Sequence, residues 1–317
     1  MKVGVIGNGG REHALCYSLK NSDKIKQIYC FPGNAGTSSI AENVNIDLNN
    51  FEKLKDFIIQ NDINFIIIGP EKPLVNGIVD YFQKYEIKVF GPNKVASQLE
   101  GSKIFTKKLC EKYKIPTAKF GIFLDSKTAL SFLKNCNFPI VIKADGLAAG
   151  KGVFLPDSND EMIKILNDLL RKNKLGESGK SILIEDRIFG KEVSVFCFTD
   201  GKNYSKPVAI CDYKRVFDDD LGSNTGGMGC YSPPEFWSKD LEKNILEKIV
   251  DPTIKSMNEI KSSFKGILYT GIMITESGPK VIEYNCRFGD PECELIMPMY
   301  DGNIIDVFFE VAESRLN

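Results

Sequence analysis

The sequence opens with Met1-Lys2-Val3-Gly4-Val5-Ile6-Gly7-Asn8-Gly9-Gly10-Arg11-Glu12, a short apolar run followed at once by a glycine-rich turn. An apolar run of this length predicts a buried β-strand over Lys2–Ile6, and the glycines allow a tight turn into a helix over Arg11–Lys20. A helix that starts directly after a strand presents backbone N–H groups and the positive end of its dipole, which can hold a phosphate. The opening therefore predicts an α/β fold with an anion site beside its first strand.

The alternation of strand and helix patterns continues through the first hundred residues. The further predicted elements are strands at Ile25–Phe31, Phe65–Ile68 and Val89–Phe90 and helices at Phe51–Gln60 and Val75–Gln83. This alternation is typical of a parallel, Rossmann-like sheet with helices on both faces. Such sheets bind ligands at the carboxyl ends of their strands, so we expect the loops 7–10, 32–37 and 69–71 to meet at one edge.

Two features of this unit argue against a dinucleotide cofactor. The position of the last glycine in the Gly-x-Gly-x-x-Gly pattern is occupied by Glu12, and the second strand ends in Phe31-Pro32, where an acidic residue would bind a ribose. A substrate that carries a phosphate is therefore favoured over NAD. A tight turn whose glycines serve only the backbone geometry is the alternative.

Composition excludes several classes of partner. With 41 Lys and Arg residues against 42 Asp and Glu residues, the chain of 317 residues has a formal net charge of −1. It therefore has no overall field to attract nucleic acid or an anionic membrane. Its start turns polar too early for a secretory signal, and no apolar run reaches the ~18 residues of a membrane span. We expect a cytoplasmic protein of two or three domains.

The counts of cysteine and histidine restrict the chemistry. The chain has nine cysteines and one histidine, His13. No two cysteines are spaced as Cys-x-x-Cys, which argues against a zinc site and favours reduced thiols. A single histidine also argues against a His-activated nucleophile and against an imidazole metal cluster. The expected chemistry is one that needs no histidine.

The pattern changes after the first hundred residues. A helical pattern from about Lys94 to Lys114 ends at Ile115-Pro116, because the residue before a proline is disfavoured in a helix. A small α/β unit like a lid is predicted over about 121–190, with helices at Lys127–Leu133 and Asp160–Lys172 and strands at Pro139–Lys143, Val153–Leu155 and Ile182–Glu185. The remaining predicted elements are strands at Glu192–Phe198, Lys206–Cys211, Ile267–Thr275 and Lys280–Asn285 and helices at Lys239–Lys261 and Ile304–Ala312.

Lys143 is the most informative residue of this small unit. It ends an apolar strand and is followed by Ala144-Asp145-Gly146-Leu147-Ala148-Ala149-Gly150-Lys151-Gly152. A buried strand seldom ends in an ammonium group unless an anion meets it. The loop can close its backbone N–H groups over phosphates, although it lacks the Gly-Lys-Ser/Thr ending of a Walker P-loop. A glycine-rich hairpin with surface lysines is the alternative.

The strand near the carboxyl end predicts a cation site. Side chains alternate across a strand, so Glu283, Asn285 and Arg287 are expected on one face, about 6.6 Å apart in succession. A Mg²⁺ ion bound between phosphates takes only one or two protein oxygens, which the carboxylate and the amide can supply. The alternative is an ordinary polar strand face.

Other polar residues surround this predicted site. Glu185 and Glu192 lie near the predicted hinge between the lid and the rest of the protein, where one could accept from an adenine amino group and the other from the ribose hydroxyls. Solvated acids at strand ends are the alternative. Asp212 precedes Tyr213-Lys214-Arg215, and a second glycine-rich loop runs over 224–229. Glycine-dense loops without a repeat usually approach a ligand.

Seven motifs in this order resemble the phosphoribosylamine–glycine ligase family of the ATP-grasp superfamily. They are 7–15, 32–37, 69–71, 100–103, 142–152, 224–229 and 287–292. The resemblance implies an α/β fold with a Rossmann-like N-terminal domain over 1–102 and an ATP-grasp domain over 103–317, its small αβ lid over about 121–190. The family also carries a further C-terminal domain that this sequence lacks, so the chain is expected to be either truncated or a shortened variant. The implied reaction joins glycine to 5-phosphoribosylamine through glycyl phosphate, giving glycinamide ribonucleotide, ADP and phosphate in purine synthesis.

The same resemblance implies roles for individual residues. ATP and Mg²⁺, or Mn²⁺, are the implied cofactors. Glu283 and Asn285 are the implied metal ligands, and the implied catalytic residues are Lys143, Asp212 and Arg287. The implied ATP-binding residues are Lys103, Lys143, Gly150, Gly152, Glu185, Ile188 and Glu192. Those implied to bind the other substrates are Asn8, Gly9, Gly10, Gly33, Asn34, Gly36, Thr37, Pro70, Glu71, Asn224, Thr225, Gly226, Gly227, Met228 and Gly229.

The chain departs from the family pattern at three positions. Tyr213 stands where the family usually has histidine, and Cys293-Glu294 stands where it has Thr-Gln. A sister ATP-grasp enzyme with another amine acceptor and a nucleotide-binding module without turnover are the alternatives, with an NAD oxidoreductase last. Only small-molecule partners are expected, on a monomer or a weak homodimer.

Overall fold

The first hundred residues form a parallel sheet, as the sequence predicts, but it has five strands, since Glu42–Asn43 joins the four predicted ones. The computed structural model describes residues 1–133, 139–148, 152–218 and 221–317, with only the backbone of Asn224. The strands are β1 (Lys2–Gly7), β2 (Gln27–Pro32), β3 (Glu42–Asn43), β4 (Phe65–Ile68) and β5 (Lys88–Phe90), in the order β3-β2-β1-β4-β5. The helices are α1 (Gly10–Lys20), α2 (Phe51–Gln60), α3 (Glu71–Asn76) and α4 (Ile78–Gln83). The helix predicted over Val75–Gln83 is thus wrong in extent: Gly77, with φ of +90°, separates two short helices.

The predicted helix from Lys94 to Lys114 is also divided. It consists of α5 (Gln98–Gly101) and α6 (Lys103–Tyr113), separated by Ser102 in an extended conformation. The Ser102 Oγ accepts a hydrogen bond of 3.0 Å from the Phe105 amide, so this serine is the N-cap of α6. The break places Lys103 in the first turn of a new helix.

A second, four-stranded sheet forms the small unit predicted over about 121–190. Its strands are β6 (Phe120–Phe123), β7 (Ile140–Ala144), β8 (Val153–Phe154) and β9 (Ile182–Asp186), paired antiparallel in the order β6-β9-β7-β8. Helices α7 (Ser126–Leu133) and α8 (Asn159–Leu166) cover it, and a π-helical segment Asn167–Arg171 continues α8. Residues such as Leu133, Ile142, Leu166 and Ile184 give this unit a hydrophobic core of its own.

The remaining described strands form a third sheet and a separate two-stranded ribbon. They are β10 (Lys191–Thr199), β11 (Val208–Asp212), β12 (Arg215–Phe217), β13 (Leu221–Asn224), β14 (Cys230–Tyr231), β15 (Gly266–Thr275) and β16 (Gly278–Asn285). Five of them form an antiparallel sheet in the order β14-β11-β10-β15-β16, while β12 and β13 pair as a separate ribbon. The helices are α9 (Lys239–Ile245), α10 (Asp251–Glu259), α11 (Glu292–Met299) and α12 (Ile304–Ala312). A π-helical segment, Leu246–Val250, divides the helix predicted over Lys239–Lys261.

Four buried phenylalanines join the first sheet to the third. The rings of Phe90 and Phe308 have centroids 4.4 Å apart, and those of Phe198 and Phe288 are 5.9 Å apart. Burying a side chain of this size stabilises the fold by about 1.5–3 kcal/mol. Because Phe288 lies three residues beyond the end of β16, this packing brings the end of β16 close to the loop that follows β1.

Two general expectations can be compared with the described part of the chain. Eight cysteines are free thiols, most of them buried, and Cys136 lies outside the described residues. Among the described residues, no helix is both long enough and apolar enough to cross a bilayer.

Candidate functional site

Lys143, Glu185 and Lys107 form a buried charge cluster between α6 and the lid sheet. The Lys143 Nζ pairs with one oxygen of the Glu185 carboxylate and the Lys107 Nζ pairs with the other. The exposed fractions of the three residues are 5%, 5% and 2% respectively. Burial alone would raise the pKa of Glu185, but the two ammonium groups outweigh that effect and lower it. The anion that the sequence requires for Lys143 is thus, in this structure, Glu185.

Lys103 lies at the same junction. Its Nζ donates a 3.0 Å hydrogen bond to the Gly146 carbonyl in the loop after β7. Asp145 fixes the loop to the start of α6, because its carboxylate accepts hydrogen bonds from the Ser102 hydroxyl at 3.0 Å and from the Ile104 amide at 3.1 Å. Burial lowers the pKa of Lys103, an effect that Glu283 opposes. The Lys143 ammonium group also lowers this pKa, so the two lysines lie close enough to interact.

The end of β16 brings together the predicted metal and guanidinium residues. The Arg287 Nη2 donates to the Asn285 Oδ1 at 3.2 Å and to the Glu100 Oε1 at 2.8 Å, and the Arg287 Nε lies 3.4 Å from the Glu71 Oε2. Burial opposes the charge of Arg287, but these two carboxylates outweigh burial and raise its pKa. Glu283 lies in the strand two residues before Asn285, opposite Gly271 of β15. The described part of the chain contains no cluster of three or more His, Cys, Asp or Glu side chains that could hold a metal ion. A cation at this place would therefore depend on the Glu283 carboxylate and the Asn285 amide oxygen.

A second charged group lies at the end of β11. The Lys214 Nζ pairs with the Glu192 carboxylate and lies 3.8 Å from the Asp212 Oδ1. Burial raises the pKa of Asp212 to about 6, although Lys214 works in the other direction. The predicted ribose acceptor Glu192 and the predicted catalytic Asp212 thus share one cation. Ile188 lies half-buried in the loop between β9 and β10.

The glycine-rich 224–229 loop folds back on the residues before it. The Thr225 amide donates to the Lys214 carbonyl at 2.7 Å, and the Met228 amide donates to the Tyr213 carbonyl at 2.8 Å. Gly227 has a φ of +128°, and a Cβ at this position would clash with the Pro291 ring. Close approach therefore places this loop against 290–291. Of the predicted residues, the Asn224 side chain and Gly150 lie outside what the structure describes, whereas Gly152 is a described, buried turn residue.

The loops after β1 and β2 are joined by Asn34. Its side-chain amide donates to the carbonyls of Asn8 and Gly9, each at 3.0 Å. The Asn34 Oδ1 accepts a hydrogen bond from the Thr37 backbone amide at 2.9 Å, and the Asn34 backbone amide donates to the Thr37 hydroxyl at 2.7 Å. The third loop ends in Pro70, the N-cap of α3, which begins at Glu71. The three loops thus lie at one edge of the sheet, as expected for a parallel sheet.

Carboxylates occupy part of the turn that the sequence assigns to a phosphate. The Gly9 amide donates to the Glu12 Oε2 at 2.6 Å, and the Arg11 amide donates to the Asp290 Oδ2 at 3.2 Å. Glu294 also reaches this turn, since a Cβ on Gly10 would lie 2.5 Å from its Oε1. Burial and then Asp290 raise the pKa of Glu294 to about 7.

Two residues of this region were not among the predicted site residues. Lys107 lies one helical turn after Lys103, so both occupy one face of α6, a spacing that is visible in the sequence. Glu100 is the first residue of the 100–103 motif, but its partner Arg287 is 187 residues away. No local pattern could have paired them.

A parallel sheet, a lid sheet carrying the buried Lys143 and an antiparallel sheet ending in polar residues define the ATP-grasp class. The solved D-alanine–D-alanine ligase of Bacillus anthracis shares this fold, with a TM-score of 0.68, 18% identity, and coverage of 99% of this chain and 98% of that chain.

Within that class, the chain belongs to the phosphoribosylglycinamide synthetase family. The family's N domain matches residues 1–100 and its ATP-grasp (A) domain matches residues 101–293. The resemblance stated from the motifs is therefore confirmed, while the predicted domain limits at 102 and 103 stay a prediction.

Individual relatives agree with this assignment. The phosphoribosylamine–glycine ligase of Caldanaerobacter subterraneus is 45% identical over 316 residues, covering 100% of this chain and 76% of the relative. The Escherichia coli ligase is 43% identical over 320 residues, covering 100% and 75%. The crystal structure of the Thermotoga maritima ligase gives a TM-score of 0.86 at 31% identity, covering 99% of this chain and 76% of that chain.

Proposed function

We propose that this protein joins glycine to 5-phosphoribosylamine with the consumption of ATP, giving glycinamide ribonucleotide, ADP and phosphate in de novo purine biosynthesis. Family membership, matched over residues 1–293, supports the reaction. The structural observation that carries it is the convergence of three lysine ammonium groups at the lid junction, two of them on buried side chains. There, Lys143 and Lys107 share one carboxylate, Glu185, and Lys103 adds a third ammonium group, which is an arrangement suited to polyphosphate.

At the junction between α6 and the lid sheet, different residues would contact the phosphates, the adenine and the ribose of ATP. Lys143 and Lys103 would neutralise the phosphates, and the loop with Gly150 and Gly152 would close over them. Glu185 and Ile188 would contact the adenine. Glu192 would accept from the ribose hydroxyls, which requires it to share or release Lys214.

A divalent cation fits the end of β16. The Glu283 carboxylate and the Asn285 amide oxygen are the hard ligands that Mg²⁺ or Mn²⁺ takes beside phosphates. Asn285 is already oriented, because its Oδ1 accepts from Arg287. The bound cation would reduce the negative charge that opposes attack on the terminal phosphate.

The protein's own residues then act by charge and position. The glycine carboxylate attacks the terminal phosphorus of ATP, ADP leaves, and glycyl phosphate forms. The amine of phosphoribosylamine attacks the acyl carbon, phosphate leaves, and the nitrogen loses a proton. Glu100 and Glu71 hold Arg287 in place, so that its guanidinium can neutralise the charge of the acyl phosphate. Lys143 would neutralise the charge of the phosphoryl group during its transfer. Holding reactants in line can supply about 7–11 kcal/mol of the barrier.

The remaining substrates have residues assigned to them. Asp212 and the loop with Thr225, Gly226, Gly227, Met228, Gly229 and Asn224 would border glycine. The edge of the parallel sheet would bind phosphoribosylamine through Asn8, Gly9, Gly10, Gly33, Asn34, Gly36, Thr37, Pro70 and Glu71. Because Gly9 and Arg11 already donate to carboxylates, we assign the ribose hydroxyls and the amine to that turn. We also propose a cytoplasmic monomer or weak homodimer with small-molecule partners only.

The test is ADP release by the 317-residue chain with MgATP and freshly prepared phosphoribosylamine, with glycine present or omitted. We expect ADP and glycinamide ribonucleotide, identified by mass, only when both cosubstrates are present. ATP binding without ADP release in the complete mixture would contradict the proposed reaction and favour a nucleotide-binding module.

A further inference from the structure

The two lysines that meet Glu185 are held unequally. The Lys107 Nζ has a second strong acceptor, the Thr117 hydroxyl at 2.6 Å, and that hydroxyl itself donates to the Val281 carbonyl at 2.8 Å. Among the described residues, the only further acceptor of the Lys143 Nζ is the Ile282 carbonyl, at 3.4 Å. Lys107 is therefore fixed to the body of the protein, whereas Lys143 has weaker contacts besides the carboxylate.

This asymmetry matters when an anion binds. If Lys143 turns from Glu185 to a phosphate, the carboxylate loses one of its two partners while it remains 95% buried or more. An unpaired carboxylate in such a place is strongly unfavourable, and its cost would weaken the binding of the anion. A carboxylate that keeps its Lys107 contact does not incur that cost.

We propose that Lys107 is a positioning residue for nucleotide binding: it holds the Glu185 carboxylate from the side opposite Lys143, so that Lys143 can pair with phosphate. Lys107 lies on α6, outside the lid, whereas Lys143 and Glu185 lie on the lid strands β7 and β9. The same contact therefore also fixes the lid sheet to α6. This inference rests on the proposed function only in taking the anion to be ATP.

The direct test measures binding of MgATP to the full chain by calorimetry. We expect Lys107→Met to weaken binding by about tenfold or more, because Glu185 is left without a partner once Lys143 turns away. Lys108→Met is the matched control, since Lys108 is exposed on the same helix, and we expect it to bind as the wild type does. In steady-state assays, Lys107→Met should raise the KM for ATP and leave the KM for glycine unchanged, a split that general loss of structure would not produce.

A double-mutant cycle tests whether Lys107 acts through Glu185. In the Glu185→Gln background there is no charge to hold, so we expect Lys107→Met to change ATP affinity there by less than about twofold. Equal losses in both backgrounds, or wild-type affinity in folded Lys107→Met, would overturn the proposal.

Two further results keep the test decisive. If Lys107→Met does not fold, Thr117→Val removes only the hydroxyl that holds Lys107, and weaker ATP binding by that variant supports the proposal while unchanged binding overturns it. Failure of the wild-type chain to bind MgATP would instead contradict the proposed function itself.

Discussion

The Glu100 carboxylate accepts a 2.8 Å hydrogen bond from the Arg287 guanidinium, which joins the helix before α6 to the residues that follow β16. The second oxygen of Glu100 accepts from the Cys286 amide, also at 2.8 Å. Glu100 thus fixes both the backbone and the side chain at this point. The direction of Arg287 is set by a residue far from it in sequence.

This geometry predicts the effect of Glu100→Gln. The amide would keep one hydrogen bond but lose the charge that orients Arg287, and a hydrogen bond to a charged group contributes about 1.5–3 kcal/mol. We expect the kcat of ADP release to fall by about tenfold or more, with little change in the KM for ATP. Glu111→Gln, at an exposed position of α6, is the control and should behave as the wild type. Unchanged kcat in a folded Glu100→Gln variant would show that Arg287 needs no such support.

The sequence predicts the first and last residues of a helix correctly where these depend on residues nearby in the chain. Helices α2 and α12 begin and end at the predicted residues, since each follows an amphipathic pattern and α2 has Asn50 as its N-cap. The break at Ser102 was missed because its extended conformation is tied to Asp145, 43 residues later. A local sequence pattern cannot predict a contact between residues so far apart in the chain.

In the candidate site, too, some features follow from the local sequence and others from contacts between distant residues. Lys143 is predictable because an ammonium group at the end of an apolar strand is unusual in itself. That its partner is Glu185, shared with Lys107, depends on how β9 lies beside β7 and how α6 packs against the lid. The sequence supplies the residue types, and the tertiary packing decides which of them meet.

Removal of the Glu283 carboxylate tests the cation site. We expect Glu283→Ala to lose Mg²⁺-dependent ADP release by about a hundredfold or more while its circular dichroism and melting temperature stay close to those of the wild type. The exposed Glu276, in the turn between β15 and β16, offers the control Glu276→Ala. Full activity of Glu283→Ala would refute the assignment of this residue as a metal ligand.

Glu294 predicts a pH dependence of stability. Burial, followed by Asp290 and Glu12, raises its pKa from 4.5 to about 7, with Arg11 opposing. The folded state therefore binds the proton more tightly, so this group's contribution is most favourable below pH ~4.5 and is lost as the pH rises towards 7. We expect Glu294→Gln to be about 1 kcal/mol more stable than the wild type at pH 7.5, after allowance for solvent screening, and nearly equal at pH 5.

Urea denaturation of both proteins at the two pH values measures this difference. The Cys230 and Cys293 thiols near Glu294 have raised pKa values and stay neutral over this range. A constant offset between wild type and Glu294→Gln at both pH values would contradict the predicted titration.

The two adjacent glycines of the 224–229 loop give a matched pair of substitutions. Gly227 has a φ of +128° and lies against Pro291, so Gly227→Ala combines an unfavourable backbone conformation with a clash. At Gly226 a Cβ would meet no heavy atom of the described residues within 4 Å, and φ is not positive. We expect Gly227→Ala to lower the free energy of unfolding by about 1–3 kcal/mol and Gly226→Ala to change it by less than about 0.5 kcal/mol. Chemical denaturation distinguishes them, and equal stability of the two variants would mean that the loop does not depend on its contact with Pro291.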